Sequence, residues 1–213
     1  MYVDLAFLTK TATEEETRKA VFTASECNLN GICILSAYIG QMREFVPDMI
    51  LSCPIDYPQG SSDIKVRNHA IISALRKGAN AVDLVLNHPL AMNRKMNELI
   101  EDISSNLQIC KEYGASLRMM MEYRMFEDAN LFFDIASLLK EVGVEYVFPA
   151  TGHRLDNYRD NLICGKVTFE KSGLKVICNG NISSKKQYEE IKKSQVFGVR
   201  LTSLPIIKEI FGV

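Results

Sequence analysis

The chain has 213 residues, of which 47% are hydrophobic and 24% are charged, so we predict one globular domain over residues 1–213. Its 25 Lys and Arg residues nearly balance its 26 Asp and Glu residues, and the net charge of -1 disfavours binding to nucleic acid or to an anionic membrane surface. No apolar stretch approaches the roughly 18 residues that a membrane-spanning helix needs.

The N-terminus and the cysteines indicate where the protein works. Residues 1–4 lack the basic and apolar regions of a signal peptide. The six cysteines lie far apart and form no Cys-x-x-Cys pair, which is typical of reduced thiols in a domain that folds without disulfides. We therefore expect a cytoplasmic protein.

Short apolar runs alternate with helical patterns along the whole chain. This order is typical of parallel strands joined by helical crossovers, and runs rich in Val, Ile, Leu, Met and Phe predict strands buried on both faces. The eight predicted strands are 2–8, 31–36, 48–55, 81–87, 116–123, 146–152, 174–180 and 196–203.

Capping residues mark several helices between these strands. Thr13 followed by three glutamates is a typical helix start, and Gly78 and Gly143 are suitable helix ends. The predicted helices run from 13 to about 27, from 61 to 78, from 92 to 113, from 128 to 143, and onward from 183. Residues 41–46, after the second strand, leave room for only one or two turns.

Eight strand-and-crossover units in one undivided chain predict a (β/α)8 barrel, the TIM-barrel fold. The length of 213 residues lies near the short end of the range of about 200 to 400 for this fold. An open, doubly wound sheet is the alternative, but no Gly-x-Gly-x-x-Gly motif follows the first strand.

Three lone charges interrupt apolar strands near the end of the barrel where such enzymes hold their sites. Asp83 lies in the fourth predicted strand, and Arg118 and Glu122 lie in the fifth. A buried charge needs a partner, so we predict that all three side chains point into the barrel and touch. Both a structural ion pair and a functional cluster fit this pattern.

Two glycine loops follow the sixth and seventh predicted strands. The first contains Thr151, Gly152 and His153, and the second contains Gly180 and Asn181. Backbone amides in such loops can hold an anion where many barrels bind phosphate, although glycine is common in any strand-to-helix turn. Exposed loop residues without a ligand are the alternative for His153.

These residues, in this order, resemble the deoxyribose-phosphate aldolase family, class I aldolases with a (β/α)8 barrel. The segment 78–87, Gly-Ala-Asn-Ala-Val-Asp-Leu-Val-Leu-Asn, is similar to the family's Gly-Ala-Asp-Glu-Ile-Asp-x-Val-Ile-Asn. The resemblance covers nearly the whole chain and includes segments 4–8, 12–16, 32–34 and 57–60. It places Glu122 at the family's strand-five glutamate and Arg118 where a lysine is usual.

The resemblance also shows which family residues are replaced. The family's Schiff-base lysine, in Phe-Ile-Lys-Thr-Ser-Thr-Gly, corresponds to Phe148, and the second lysine, which lowers the pKa of the first, corresponds to Ile177. Lys175 lies two residues earlier, toward the bottom of the barrel. Thr202 and Ser203 match part of the family's strand-eight phosphate motif. A phenyl ring cannot form an iminium, so the family's route to aldol cleavage is absent.

Two hypotheses for function follow. The chain is either an enzyme that performs acid–base chemistry on a small phosphorylated sugar or related metabolite, or a non-catalytic pseudo-aldolase that binds a ligand or a partner. Neither requires a cofactor, and the two histidines at the correct barrel end, His88 and His153, do not predict a metal site. The sequence leaves open whether the protein forms a homodimer. The candidate catalytic residues are Asp83, Arg118 and Glu122, and the candidate ligand- or phosphate-binding residues are Thr151, Gly152, His153, Gly180, Asn181, Thr202 and Ser203.

Overall fold

The computed structural model describes residues 1–154, 156–194 and 196–212. Within these ranges, eight parallel strands pair in chain order and close into a barrel through contacts between the last strand and the first. The strands are β1 (Tyr2–Phe7), β2 (Gly31–Ile34), β3 (Ile50–Ile55), β4 (Ala81–Val85), β5 (Ser116–Met120), β6 (Tyr146–Phe148), β7 (Lys175–Cys178) and β8 (Gly198–Leu201). The predicted (β/α)8 barrel is confirmed, and the open sheet is wrong because every strand has a neighbour on both sides.

Helices surround the barrel and connect successive strands. They are α1 (Glu14–Glu26), α2 (Ile39–Arg43), α3 (Ile64–Arg76), α4 (His88–Met92), α5 (Met96–Glu112), α6 (Ala129–Val142), α7 (Tyr158–Ser172), α8 (Lys185–Lys193) and α9 (Leu204–Phe211). None of the helices in the described ranges is long and apolar enough to cross a membrane. The short α2 agrees with the expectation of only one or two turns after the second strand.

Several helix ends are determined locally, as the capping signals predict. The Thr13 hydroxyl accepts a hydrogen bond from the Glu16 amide, and the Glu16 carboxylate accepts one from the Thr13 amide. The Asp63 carboxylate caps α3 by accepting from Lys65 N. Gly143 ends α6 at a φ of 102°, a left-handed conformation that glycine adopts without strain.

The predicted elements differ from the structure mainly at the C-terminal ends of the strands. The fourth predicted strand extends to Asn87, but this residue instead caps α4 by accepting from Leu90 N. The long helix predicted for 92–113 begins later, at Met96 of α5, because Arg94 takes a left-handed φ of 53° after α4 ends at Met92. Helices α7 and α9 were not predicted.

The core has an outer and an inner part. Outward-facing strand residues such as Leu51 and Leu84 pack with helix residues such as Ile71 and Leu99 in one large buried cluster. A second, smaller cluster fills part of the barrel interior and consists of Val85, Met120, Phe148 and Ile177. The alternation of side chains along each strand separates the two parts.

A buried arginine connects two helices to the barrel. Arg67 on α3 is fully buried, and its guanidinium lies 2.6 Å from Asp56 Oδ2 and 3.0 Å from Asp102 Oδ1 on α5. Its Nη2 also donates to the carbonyl oxygen of Val85 at the end of β4. These contacts connect α3 and α5 to the strand that carries Asp83, and removal of one partner would leave an uncompensated buried charge.

All six cysteines are free thiols. Five of them are buried, and Cys164 on α7 is half-buried. Burial raises the pKa of Cys110 on α5 to about 12, and it raises the pKa of Cys33 on β2 well above its usual value.

Candidate ligand-binding site

Four charged side chains from four strands meet inside the barrel, and we call them the ion cluster: Asp4 on β1, Asp83 on β4, Arg118 on β5 and Arg200 on β8. Arg118 Nε donates to Asp83 Oδ1 at 2.6 Å, and Arg200 Nη2 donates to Asp4 Oδ2 at 2.7 Å. Arg200 Nη2 also lies 2.8 Å from Asp83 Oδ2. All four are buried, and their charges cancel in the interior of low dielectric constant.

The electrostatics keep Asp83 ionised. Burial alone would raise the pKa of this carboxyl, but the guanidinium groups of Arg118 and Arg200 outweigh burial and bring the pKa to about 2. The hydroxyl of Ser52 also donates to Asp83 Oδ2 at 3.0 Å. At neutral pH, Asp83 therefore has no proton to donate.

The structure brings together two of the three predicted charges. The contact between Asp83 and Arg118 is confirmed, whereas the expected contact with Glu122 is wrong because Glu122 leaves the strand in a left-handed conformation with a φ of 55°. Its carboxylate instead accepts hydrogen bonds from the backbone amide and the hydroxyl of Thr151. Glu122 thus lies beneath the loop that follows β6.

Sequence reasoning missed the other half of the ion cluster. Asp4 and Arg200 are lone charges in apolar strands, which is the same signal that identified Asp83 and Arg118. Applying the cost of an unpaired buried charge to β1 and β8 would have found them.

Apolar side chains fill the positions at which the resemblance implies lysines. Phe148 is fully buried, and its ring centroid lies 4.2 Å from Arg200 Cζ and 5.4 Å from Arg118 Cζ. Ile177 packs in the same inner cluster. Lys175 is half-exposed at the start of β7 and pairs with Glu145 at 2.9 Å, so it lies at the opposite end of the strand from the barrel mouth.

A cavity of about 480 Å³ opens at the C-terminal mouth of the barrel, above the inner cluster. Arg200 and Met120 contribute to its lining from inside the barrel, and loop residues such as Thr9 and Tyr57 contribute from the rim. Among the lining residues that the structure describes, Arg200 alone carries a charge. Its Nη1 atom is buried and has no hydrogen-bond partner within the described ranges.

The predicted phosphate-binding residues divide into two groups. Thr151, Gly152, Thr202 and Ser203 line this cavity. The start of α9 borders it as well, where the Ser203 hydroxyl caps the helix by accepting from Ile206 N.

The remaining predicted residues lie outside the cavity. His153 is exposed, and its ring stands edge-on to the ring of Tyr57 at 6.0 Å. Gly180 packs so closely against α7 that a Cβ there would come within 2.8 Å of Tyr158 Cα. The amide of Asn181 donates to the carbonyl oxygen of Asp156 and is therefore not directed at the cavity.

Asn179 also lines the cavity, although it was not among the predicted site residues. Its side chain connects two loops. Its side chain donates to the carbonyl oxygen of Ala150 at 2.6 Å and accepts from Asn161 on α7. Asn161 in turn donates to Asp156, which also accepts from the Tyr123 hydroxyl at 2.6 Å. These bonds connect the loops after β5, β6 and β7 around the mouth.

Comparison with known proteins yields a consistent set of relatives. No protein-family model matches the chain. The deoxyribose-phosphate aldolase of Treponema denticola is 23% identical over 154 residues, which are 71% of each chain. That of Caldanaerobacter subterraneus is 25% identical over 195 residues, or 89% of this chain and 82% of the relative.

The chain is a divergent relative of the deoxyribose-phosphate aldolases. Solved structures share the fold of this aldolase relative: a protein described as "QR15, an Aldolase" aligns over 99% of this chain and 95% of its own, with a TM-score of 0.89 and 17% identity. The tetrameric deoxyribose phosphate aldolase from Aeropyrum pernix aligns over 99% and 89%, with a TM-score of 0.86 and 20% identity. The aldolase relative keeps the barrel while Phe148 and Ile177 occupy its interior.

Proposed function

We propose that this chain binds a small phosphorylated sugar or a related metabolite at the mouth of the barrel and forms no Schiff base with it. One observation carries the proposal: Phe148 fills the nucleophile's position, yet a cavity of about 480 Å³ remains open above it. The phenyl ring at this position therefore leaves the site open. A cavity of this size with convergent polar groups is typical of small-molecule sites.

The polar groups around the cavity favour an anionic ligand. The hydroxyls of Thr151, Thr202 and Ser203 line it, and the N-terminus of α9 carries the partial positive charge of the helix dipole. Within the described lining, no carboxylate opposes an anion. We therefore expect the phosphate group to lie near Thr202 and Ser203.

Among the described residues, no lysine lines the cavity, which argues against covalent aldolase chemistry. The amine of Lys175 is engaged by Glu145 at the other end of β7, and without an iminium no electron sink stabilises the carbanion. Non-catalytic binding is favoured further because Asp83 is held ionised in the ion cluster and Glu122 is engaged by Thr151.

Calorimetric titration combined with borohydride trapping tests this proposal. We expect saturable binding of 2-deoxyribose 5-phosphate, no borohydride-trapped mass increase on any lysine, and no acetaldehyde release above the blank. An active deoxyribose-phosphate aldolase, treated in parallel, provides the positive control for both trapping and release.

Two outcomes would contradict the proposal. A trapped adduct on a lysine together with acetaldehyde release would restore the aldolase assignment. Failure to bind any sugar phosphate would show that the cavity serves another purpose.

A further inference from the structure

We infer that Arg200 binds an uncharged oxygen of the ligand, a carbonyl or hydroxyl, at the end of the molecule opposite its phosphate; this inference rests on the proposed function. Arg200 would then be the residue that selects a neutral sugar phosphate over the corresponding sugar acid. Neither the resemblance nor the comparisons assign a role to this position.

Arg200 contributes to the lining of the cavity, and one nitrogen of its guanidinium is buried without a hydrogen-bond partner among the described residues. Its Nε and Nη2 atoms donate to Asp4 at 2.9 Å and 2.7 Å, and Nη2 also lies 2.8 Å from Asp83. Its Nη1 atom has no partner among the described residues, although the side chain is only 3% exposed and lines the cavity. An unsatisfied buried donor is unfavourable, so a ligand oxygen that accepts from Nη1 gains a hydrogen bond that the empty site lacks.

The charge balance of the ion cluster favours a neutral acceptor. Asp4 and Asp83 already compensate Arg118 and Arg200, and all four are buried. A carboxylate on Arg200 would add an uncompensated negative charge to this interior, whereas a carbonyl or hydroxyl oxygen would not. The free donor therefore suits the aldehyde or hydroxyl end of a sugar phosphate.

The orientation of Arg200 is held before any ligand binds. The ring of Phe148 lies against its guanidinium, with the ring centroid 4.2 Å from Cζ, and the two aspartates hold the other side. A donor fixed in this way loses little conformational freedom on binding.

Arg118 offers a matched comparison. It is as buried as Arg200 and pairs with the same two aspartates. It does not line the mouth, because its side chain borders a separate cavity of about 100 Å³ with Tyr2 and Tyr146, toward the start of the strands. An arginine-to-lysine change at Arg118 therefore perturbs the ion cluster without removing the donor at the mouth.

The first test titrates wild type, Arg200→Lys and Arg118→Lys with 2-deoxyribose 5-phosphate and, separately, with inorganic phosphate. Lysine keeps the charge beside the aspartates but removes the Nη1 donor. We expect Arg200→Lys to weaken sugar phosphate binding about tenfold or more and to change phosphate binding by less than about twofold. Arg118→Lys perturbs the same ion cluster away from the mouth, so we expect it to weaken sugar phosphate binding by clearly less than Arg200→Lys does.

Sugar phosphate binding that is equal in wild type and Arg200→Lys would overturn the inference and leave the proposed function standing. Failure of the wild type to bind the sugar phosphate would contradict the proposed function itself. An equal loss of binding in both lysine variants would assign the effect to the ion cluster and overturn the specific role of Arg200.

The second test needs no variant and is independent of folding effects. We compare binding of 2-deoxyribose 5-phosphate and 2-deoxyribonate 5-phosphate to the wild-type protein. The neutral form should bind about tenfold more tightly. Equal or tighter binding of the carboxylate form would contradict the selection of an uncharged oxygen.

Discussion

Arg200 changes what the pairing of Asp83 with Arg118 means for stability. A lone pair would leave Asp83 uncompensated once Arg118 is removed, but Arg200 Nη2 also lies 2.8 Å from Asp83. The four charges therefore have to be considered together, and the energetic effect of changing one depends on the other three.

We predict that Arg118→Met lowers the free energy of unfolding by about 3–5 kcal/mol, because it leaves two buried carboxylates with one arginine. The double variant Asp83→Asn/Arg118→Met restores the charge balance, so its destabilisation should be smaller than the sum of the two single effects. Urea unfolding of the wild type and the three variants measures this. Additive effects would show that the two side chains do not interact.

At the scale of helices and strands, the sequence predicts most elements because each has a local cause. The eight strands appear as apolar runs, and α1, α3 and α6 have capping residues. Helix α7 escaped prediction because its buried face carries Asn161, Gly165 and Thr168 in place of an apolar stripe. Arg94, between α4 and α5, and Glu122, after β5, both take a left-handed backbone conformation. Neither residue type indicates this conformation in the sequence.

The loop after β6 depends on Glu122, which provides a prediction at this scale. In Glu122→Ala, the buried amide of Thr151 loses its acceptor, and we expect its hydrogen exchange to accelerate about tenfold or more. Glu122→Gln retains a carbonyl oxygen at the same position and serves as the matched control, with exchange close to wild type. Equally slow exchange in the alanine variant would show that other contacts hold the loop.

For the whole molecule, closure of the barrel depends on the contact between its first and last strands. Gly198 of β8 lies opposite Tyr2 of β1, and a Cβ at Gly198 would come within 2.8 Å of the Tyr2 carbonyl oxygen. The alternation of strands and crossovers predicts the barrel, but it does not predict which residues close it. That depends on pairing between residues nearly 200 positions apart, as Asp4 and Arg200 also show.

We predict that Gly198→Ala destabilises the protein by about 1–3 kcal/mol, because the backbone where β8 meets β1 must move to make room for the methyl group. Gly40→Ala is the control: Gly40 lies in α2 with open space around its Cα, and alanine there should be neutral or stabilise by up to about 1 kcal/mol. Thermal or urea unfolding measures both. Equal stabilities of the two variants would show that the contact between β1 and β8 accommodates the methyl group without strain.

Alkylation of the buried thiols would report which part of the protein opens. The thiolate is the species that an alkylating reagent attacks, and burial both shields Cys33 and Cys110 and keeps them protonated. Cys110 lies in the surrounding helix α5, whereas Cys33 lies on the barrel strand β2, next to Ser52 of β3 and close to Asp83. Brief pulses of an alkylating reagent, followed by peptide mass analysis, would therefore distinguish two kinds of opening. Local opening of α5 exposes Cys110, whereas opening of the barrel exposes Cys33.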